Sequence, residues 1–266
     1  NILPSGDIPV AFGNHLVKLD GDTGRIIKHI SIPSGAAPPE GSNFKHMTIA
    51  PDGTLIIKNQ TRATPCNIQG TLAAFQCPGG VMQSPGSTIH AIDPETFEIY
   101  DSVGVPENAV VPHTITEFDG KITIYAPSIA RAYRFFWDPD TKSLSKDDSW
   151  SVTYLDPGQT TGDAPGILGD WVVLQVNGLP AKVASSIVAI NQTDPSRITR
   201  VYPFGKDLPT GMSWAPPKAA VDAENSIVYS ADQGMMKIGA VRLDQDTGEM
   251  ETIWTRDGAT TALQAL

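Results

Sequence analysis

The chain has 266 residues, with 24 Gly, 22 Pro, 18% charged side chains and a net charge of −10. That length can bury a large core, and the Gly and Pro content is that of a protein with many short strands and turns. The acidic balance repels phosphate backbones and anionic lipid, so neither nucleic acid nor a membrane surface is expected as a partner. No apolar run reaches the roughly eighteen residues needed to span a bilayer.

Taken in chain order, the first element is "HLVKLDGDTGRIIKHISI" from His15, a strand, an acidic turn and a second strand. It makes residues 1–33 a partial unit contributing two strands. A tighter hairpin follows in "FKHMTIAPDGTLIIK", turning at Asp52-Gly53. The segment "PCNIQGTLAAFQCPGG" carries the only two cysteines, Cys66 and Cys77, in a loop with little core of its own. A disulfide between them is expected, worth about 2–3 kcal/mol by loop-closure entropy. Zinc would need more ligands at tighter spacing.

"STIHAIDPETFEIYDSVGV" then completes a unit over 44–103. The same two-hairpin pattern returns in "PHTITEFDGKITIY" with "YRFFWDPDTKSLSKDDSWSV" (110–155) and in "APGILGDWVVLQV" with "SSIVAINQTDPSRITRVYPF" (163–204). It returns once more in "PKAAVDAENSIVYS" with "GAVRLDQDTGEMETIWTRDG" (217–256). Residues 259–266 read as the start of a further unit.

The acidic turns at Asp20, Asp93, Asp138, Asn191 and Asp244 recur about every fifty residues once the cysteine insertion is set aside. Two hairpins per period make a four-stranded antiparallel unit, and radial repetition of such units is the pattern of an all-β β-propeller. A sandwich predicts no fixed period. The expectation is one β-propeller domain of four full blades and partial blades. Because the reading starts in mid-blade, a fragment of a larger propeller is expected, or a poorly closed five-bladed one.

The motif "LDQDTGEMETIW", with Leu243, Asp244, Thr247, Gly248 and Trp254, resembles the repeat of pyrroloquinoline-quinone-type (quinoprotein alcohol dehydrogenase-like) propellers. "KLDGDTGRII" is similar, and "AIDPETFEIY" keeps the Asp and Thr. The resemblance implies that Asp and Gly make the turn between the two outer strands and that an outer-strand Trp docks on the next blade. It covers about five hairpins and speaks to fold more than to activity. The quinone enzymes of that superfamily carry adjacent cysteines and a calcium site. Here Cys66 and Cys77 are separated, no calcium set is placed, and no cofactor is assigned.

Aligned on the first apolar residue after each inner turn (Leu55, Ile122, Val172 and Ile227), the position nine residues earlier is always polar: His46, His113, Asp163 and Lys218. Innermost strands line a propeller's channel, so these four side chains are expected to ring its mouth. Two readings stand. The positions are polar because the channel holds water, or because they bind a small molecule or a protein partner. His15, His29 and His90 are expected to be surface or packing residues of outer strands.

No "GxSxG" elbow is present, and no metal set is assigned. The function expected is therefore an exported, ligand- or partner-binding propeller, extracellular or periplasmic. The cysteine pair and the sequons Asn59-Gln60-Thr61 and Asn191-Gln192-Thr193 fit export. No charged-then-apolar leader is found in the sequence, so an export signal is expected to be already removed or to lie outside it. The alternative is a quinoprotein-like oxidoreductase or a metal-assisted hydrolase acting at the channel mouth.

Overall fold

The computed structural model describes residues 2–12, 15–31, 43–60, 87–107, 111–128, 130–178, 183–208, 213 and 218–258. Among them every helical or extended element is a β-strand. Cys66 and Cys77 lie outside the described residues, and so do 259–266. Contacts divide the chain into two compact units: Asn1–Ser128 with Tyr133–Ser149, and Ile129–Ala132 with Trp150–Leu266.

The first unit begins with a three-stranded sheet of β1 (Ile8–Phe12), β2 (His15–Leu19) and β3 (Ile26–Ser31). The sequence reading expected two strands here. β1 was hidden because "IPVAF" is short and contains Pro9, a residue tolerated on an edge strand and not in a sheet centre. The second sheet runs β4 (Asn43–Ile49), β5 (Leu55–Gln60), β6 (Thr88–Ile92) and β7 (Ile99–Gly104), each hydrogen-bonded to the next. The third is β8 (Thr114–Phe118), β9 (Lys121–Pro127), β10 (Arg131–Asp138) and β11 (Ser143–Thr153), and its last two strands cross from one unit to the other.

In the second unit, β14 (Trp171–Asn177), β15 (Ser186–Asn191) and β16 (Ile198–Val201) follow one another, and two short strands pair with the open side of β14. These are β12 (Thr160–Thr161) and β13 (Gly166–Leu168). The last sheet is β17 (Ala220–Asp222), β18 (Ile227–Asp232), β19 (Lys237–Leu243) and β20 (Met250–Asp257).

Burial follows strand position within each sheet. β14, "WVVLQVN", is buried along its whole length, so it reads as a near-continuous apolar run because both its faces are covered. β20, "METIWTRD", is mostly exposed and carries the charges suited to an outer edge. Sheets pack face to face inside each unit. Leu16, Leu55, Ile57, Ile92 and Phe97 join the first two sheets. Ile56, Ile89, Ile124, Phe135 and Trp137 join the second and third. Leu168, Val173, Ala189, Val228 and Val241 join the two sheets of the second unit.

All five acidic turns close in the same way. The side-chain Oδ1 of Asp20, Asp93, Asp138, Asn191 and Asp244 accepts the backbone N–H three residues on, at 2.7–3.3 Å. Such Asx turns are why Asp and Asn recur there. In four of them the next residue has positive φ: Gly24 (69°), Phe97 (58°), Lys142 (53°) and Gly248 (81°). Glycine takes that conformation freely, and at Phe97 burial in the core offsets the strain.

Candidate functional site

His46 is the fourth residue of β4 and lies across from Lys58 of β5. His113 immediately precedes β8. The innermost positions of two neighbouring sheets thus bring the two imidazoles together, with ring centroids 5.1 Å apart and an edge-to-face angle of 74°. His113 is fully buried, and its Nε2 pairs with the Thr48 hydroxyl at 2.7 Å. Its Nδ1 makes no well-formed hydrogen bond.

Lys58 is also fully buried, and its ammonium donates to the Val111 carbonyl. Burial holds the His113 pKa well below the ordinary imidazole value, and the neighbouring His46 and Lys58 push it further down. The Ile56 backbone opposes this only weakly. The cluster is thus a buried, low-dielectric group of one ammonium and two imidazoles, with the His113 ring held neutral.

Asp163 and Lys218 lie in the second unit. Asp163 falls in the break between β12 and β13, where its carboxylate accepts the Ala164 N–H at 2.7 Å. Pro165, two residues on, has no N–H for a ladder. Lys218 stands two residues before β17. Its pKa is lowered by burial and raised in turn by the charge of Asp163, so the two side chains sense each other. The structure brings the four expected positions together as two pairs, His46 with His113 in one unit and Asp163 with Lys218 in the other.

Sequence reasoning missed a second set of polar positions. Lys58, Tyr125, Gln175 and Ser230 occupy equivalent places on the second strand of their sheets, and all are buried. Gln175 spans two sheets, donating to the Ala231 carbonyl at 2.8 Å and accepting from Ser230 at 2.9 Å. Beside it, Asp232 is fully buried and accepts the hydroxyls of Ser185 (2.6 Å) and Ser213, together with the Met235 N–H at 2.9 Å. The available signal was a polar residue at the fourth place of four otherwise largely apolar runs: "LIIK", "ITIY", "VVLQ" and "IVYS".

At the opposite ends of the first unit's strands, a cavity of about 340 Å³ is lined by Asp52, Asp93, Tyr100, Trp137 and Lys142 among others. Its polar groups are engaged with one another. The Tyr100 hydroxyl donates to Asp93, Trp137 Nε1 donates to Asp52 at 2.9 Å, and Lys142 sits 4.0 Å over the Tyr100 ring. Among the described residues no group of three His, Cys, Asp or Glu side chains stands close enough to hold a metal ion.

Strands of this number and order define a class of protein, and solved structures agree on it. The chain aligns over 96% of its length with the β-propeller domain of Cps50 (Swd1) from Myceliophteria thermophila, at 8% identity and TM-score 0.56, covering 70% of that chain. BamB from Moraxella catarrhalis matches over 96% of this chain and 65% of its own, at 14% identity and TM-score 0.54. A functionally unknown protein from Desulfotomaculum acetoxidans matches over 95% and 68%, at 16% identity and TM-score 0.56.

The chain therefore spans about two thirds of each neighbour's length and has a β-propeller fold. No family model matches it, and no curated protein is significantly similar in sequence.

Proposed function

We propose that this propeller binds a small anionic molecule, or an acidic group of a protein partner, at the rim where its innermost strands begin. In the first unit the groups available for this are His46, His113 and Lys58; the second unit has, separately, Lys218 beside Asp163. The observation that carries the reading is the His46–His113 pair. Two imidazoles in edge contact, one of them fully buried beside a buried lysine, cost desolvation that an apolar pair would avoid. A bound anion offsets that cost.

The repeat is read as the pyrroloquinoline-quinone type. Its support is the shared Asx turn and an outer-strand tryptophan, Trp150, whose Nε1 donates to the Asn191 carbonyl of the next hairpin turn at 3.2 Å. Trp254, the docking residue expected from the motif, is 36% exposed. Export to an extracellular or periplasmic space is proposed from the cysteine pair; the sequon asparagines Asn59 and Asn191 are both buried and lend it no support. An oxidoreductase or hydrolase reading draws no comparable support from the described residues.

Phosphate, sulfate and a series of small mono- and dicarboxylates, screened by thermal shift, test the proposal. At least one should raise the melting temperature of the wild type, and His46→Gln should abolish the rise. No shift with any anion, or a shift that His46→Gln leaves intact, overturns it. His46 is the residue to change because it is half-buried, whereas His113 is also part of the core.

A further inference from the structure

We infer that His15 and His29 form a site for a divalent transition metal of the zinc, copper or nickel type. The two residues lie on adjacent strands of the first sheet. The register pairs His15 with Ser31 and Val17 with His29, so the imidazoles are diagonal neighbours on one face. Nδ1 of His15 and Nε2 of His29 are 3.1 Å apart, and the Ser31 hydroxyl is also 3.1 Å from that Nδ1.

Two nitrogens bound to one ion at ~2.0–2.1 Å, and separated as these are, subtend an angle of about 100° at the metal. That lies between the octahedral and tetrahedral values. The ring centroids are 5.0 Å apart and the planes inclined at 49°, so the rings are tilted rather than stacked, and the two nitrogens share one hydrogen bond whose proton a metal ion would replace. Imidazole nitrogen suits these metals.

The backbone pairing of β2 with β3 holds the bite distance before a metal arrives, so little ordering is lost on binding. Phe12 closes one side, its ring 5.5 Å from that of His15. His29 and Ser31 are exposed, which leaves the remaining coordination positions to the Ser31 hydroxyl and water. The site is separate from the His46–His113 pair and does not rest on the proposed anion binding.

Isothermal titration of Zn²⁺ into the full chain, prepared without a polyhistidine tag, tests the inference. The wild type should bind one Zn²⁺ per chain. His15→Ala and His29→Ala should each weaken that binding about 10–100-fold, because either loss converts a chelate into a single contact. His46→Gln should leave it unchanged. His29 is exposed, so His29→Ala should keep the wild-type circular dichroism, and it decides the matter if His15→Ala fails to fold. Absence of Zn²⁺ binding in the wild type overturns the inference. So does wild-type affinity retained in His29→Ala, or binding lost in His46→Gln.

Discussion

Acidification should destabilise this protein through His90. This residue sits on β6, 3% exposed, with Nδ1 on the Ser102 hydroxyl at 2.7 Å. Its Nε2 has no hydrogen-bond partner among the described residues. Burial lowers its pKa from 6.5 to about 4, so the folded state prefers the neutral ring while the unfolded chain titrates normally. Between those two values the unfolded state binds more protons, and stability must fall as pH falls.

The contribution is complete above pH ~6.5 and lost below pH ~4. Over the full window the shift corresponds to about 3 kcal/mol, of which about 2 kcal/mol disappears between pH ~7 and ~5. Urea unfolding of the wild type and of His90→Gln, at several pH values across that range, measures it. The variant has no proton to take up at this position, so the wild type should lose about 2 kcal/mol more than the variant on going from pH ~7 to ~5. His113 titrates in the same direction but is common to both proteins and cancels in the comparison. Parallel pH profiles for the two proteins would refute the assignment.

Gly248→Ala should cost about 2–4 kcal/mol. The residue has φ +81°, and an added Cβ would stand 2.1 Å from Cη2 of Trp171, so a left-handed strain and an overpacked contact combine. Gly24→Ala, at the same turn position with nothing within 4 Å, should cost only about 1 kcal/mol. Equal losses in melting temperature would show that Trp171 is not seated on the turn. Asp232→Ala leaves two buried serine hydroxyls and the Met235 N–H without their shared acceptor, an expected loss of about 2–4 kcal/mol. Urea midpoints unchanged in that variant would remove the cluster from any structural role.

The repeat was legible in the sequence because its determinants are local. An Asx turn needs only one Asp or Asn and the next few residues, and alternation within a strand fixes which side chains face a neighbouring sheet. That is why the turns at Asp20, Asp93, Asp138, Asn191 and Asp244 could be placed without coordinates, and the four-stranded sheets with them. The common offset of His46, His113, Asp163 and Lys218 was legible for the same reason. Tertiary structure alone decided which of them meet. His46 finds His113 through the packing of two sheets, with Thr48 and the buried Lys58 completing the cluster. The same holds for Gln175 with Ser230, and for Asp232 with Ser185 and Ser213. A polar residue in an apolar strand looks like an interruption until its partner, some twenty to fifty-five residues away in these cases, is brought within hydrogen-bonding distance. Burial then gives that bond its energetic weight, because an unmade one could not be repaid by water.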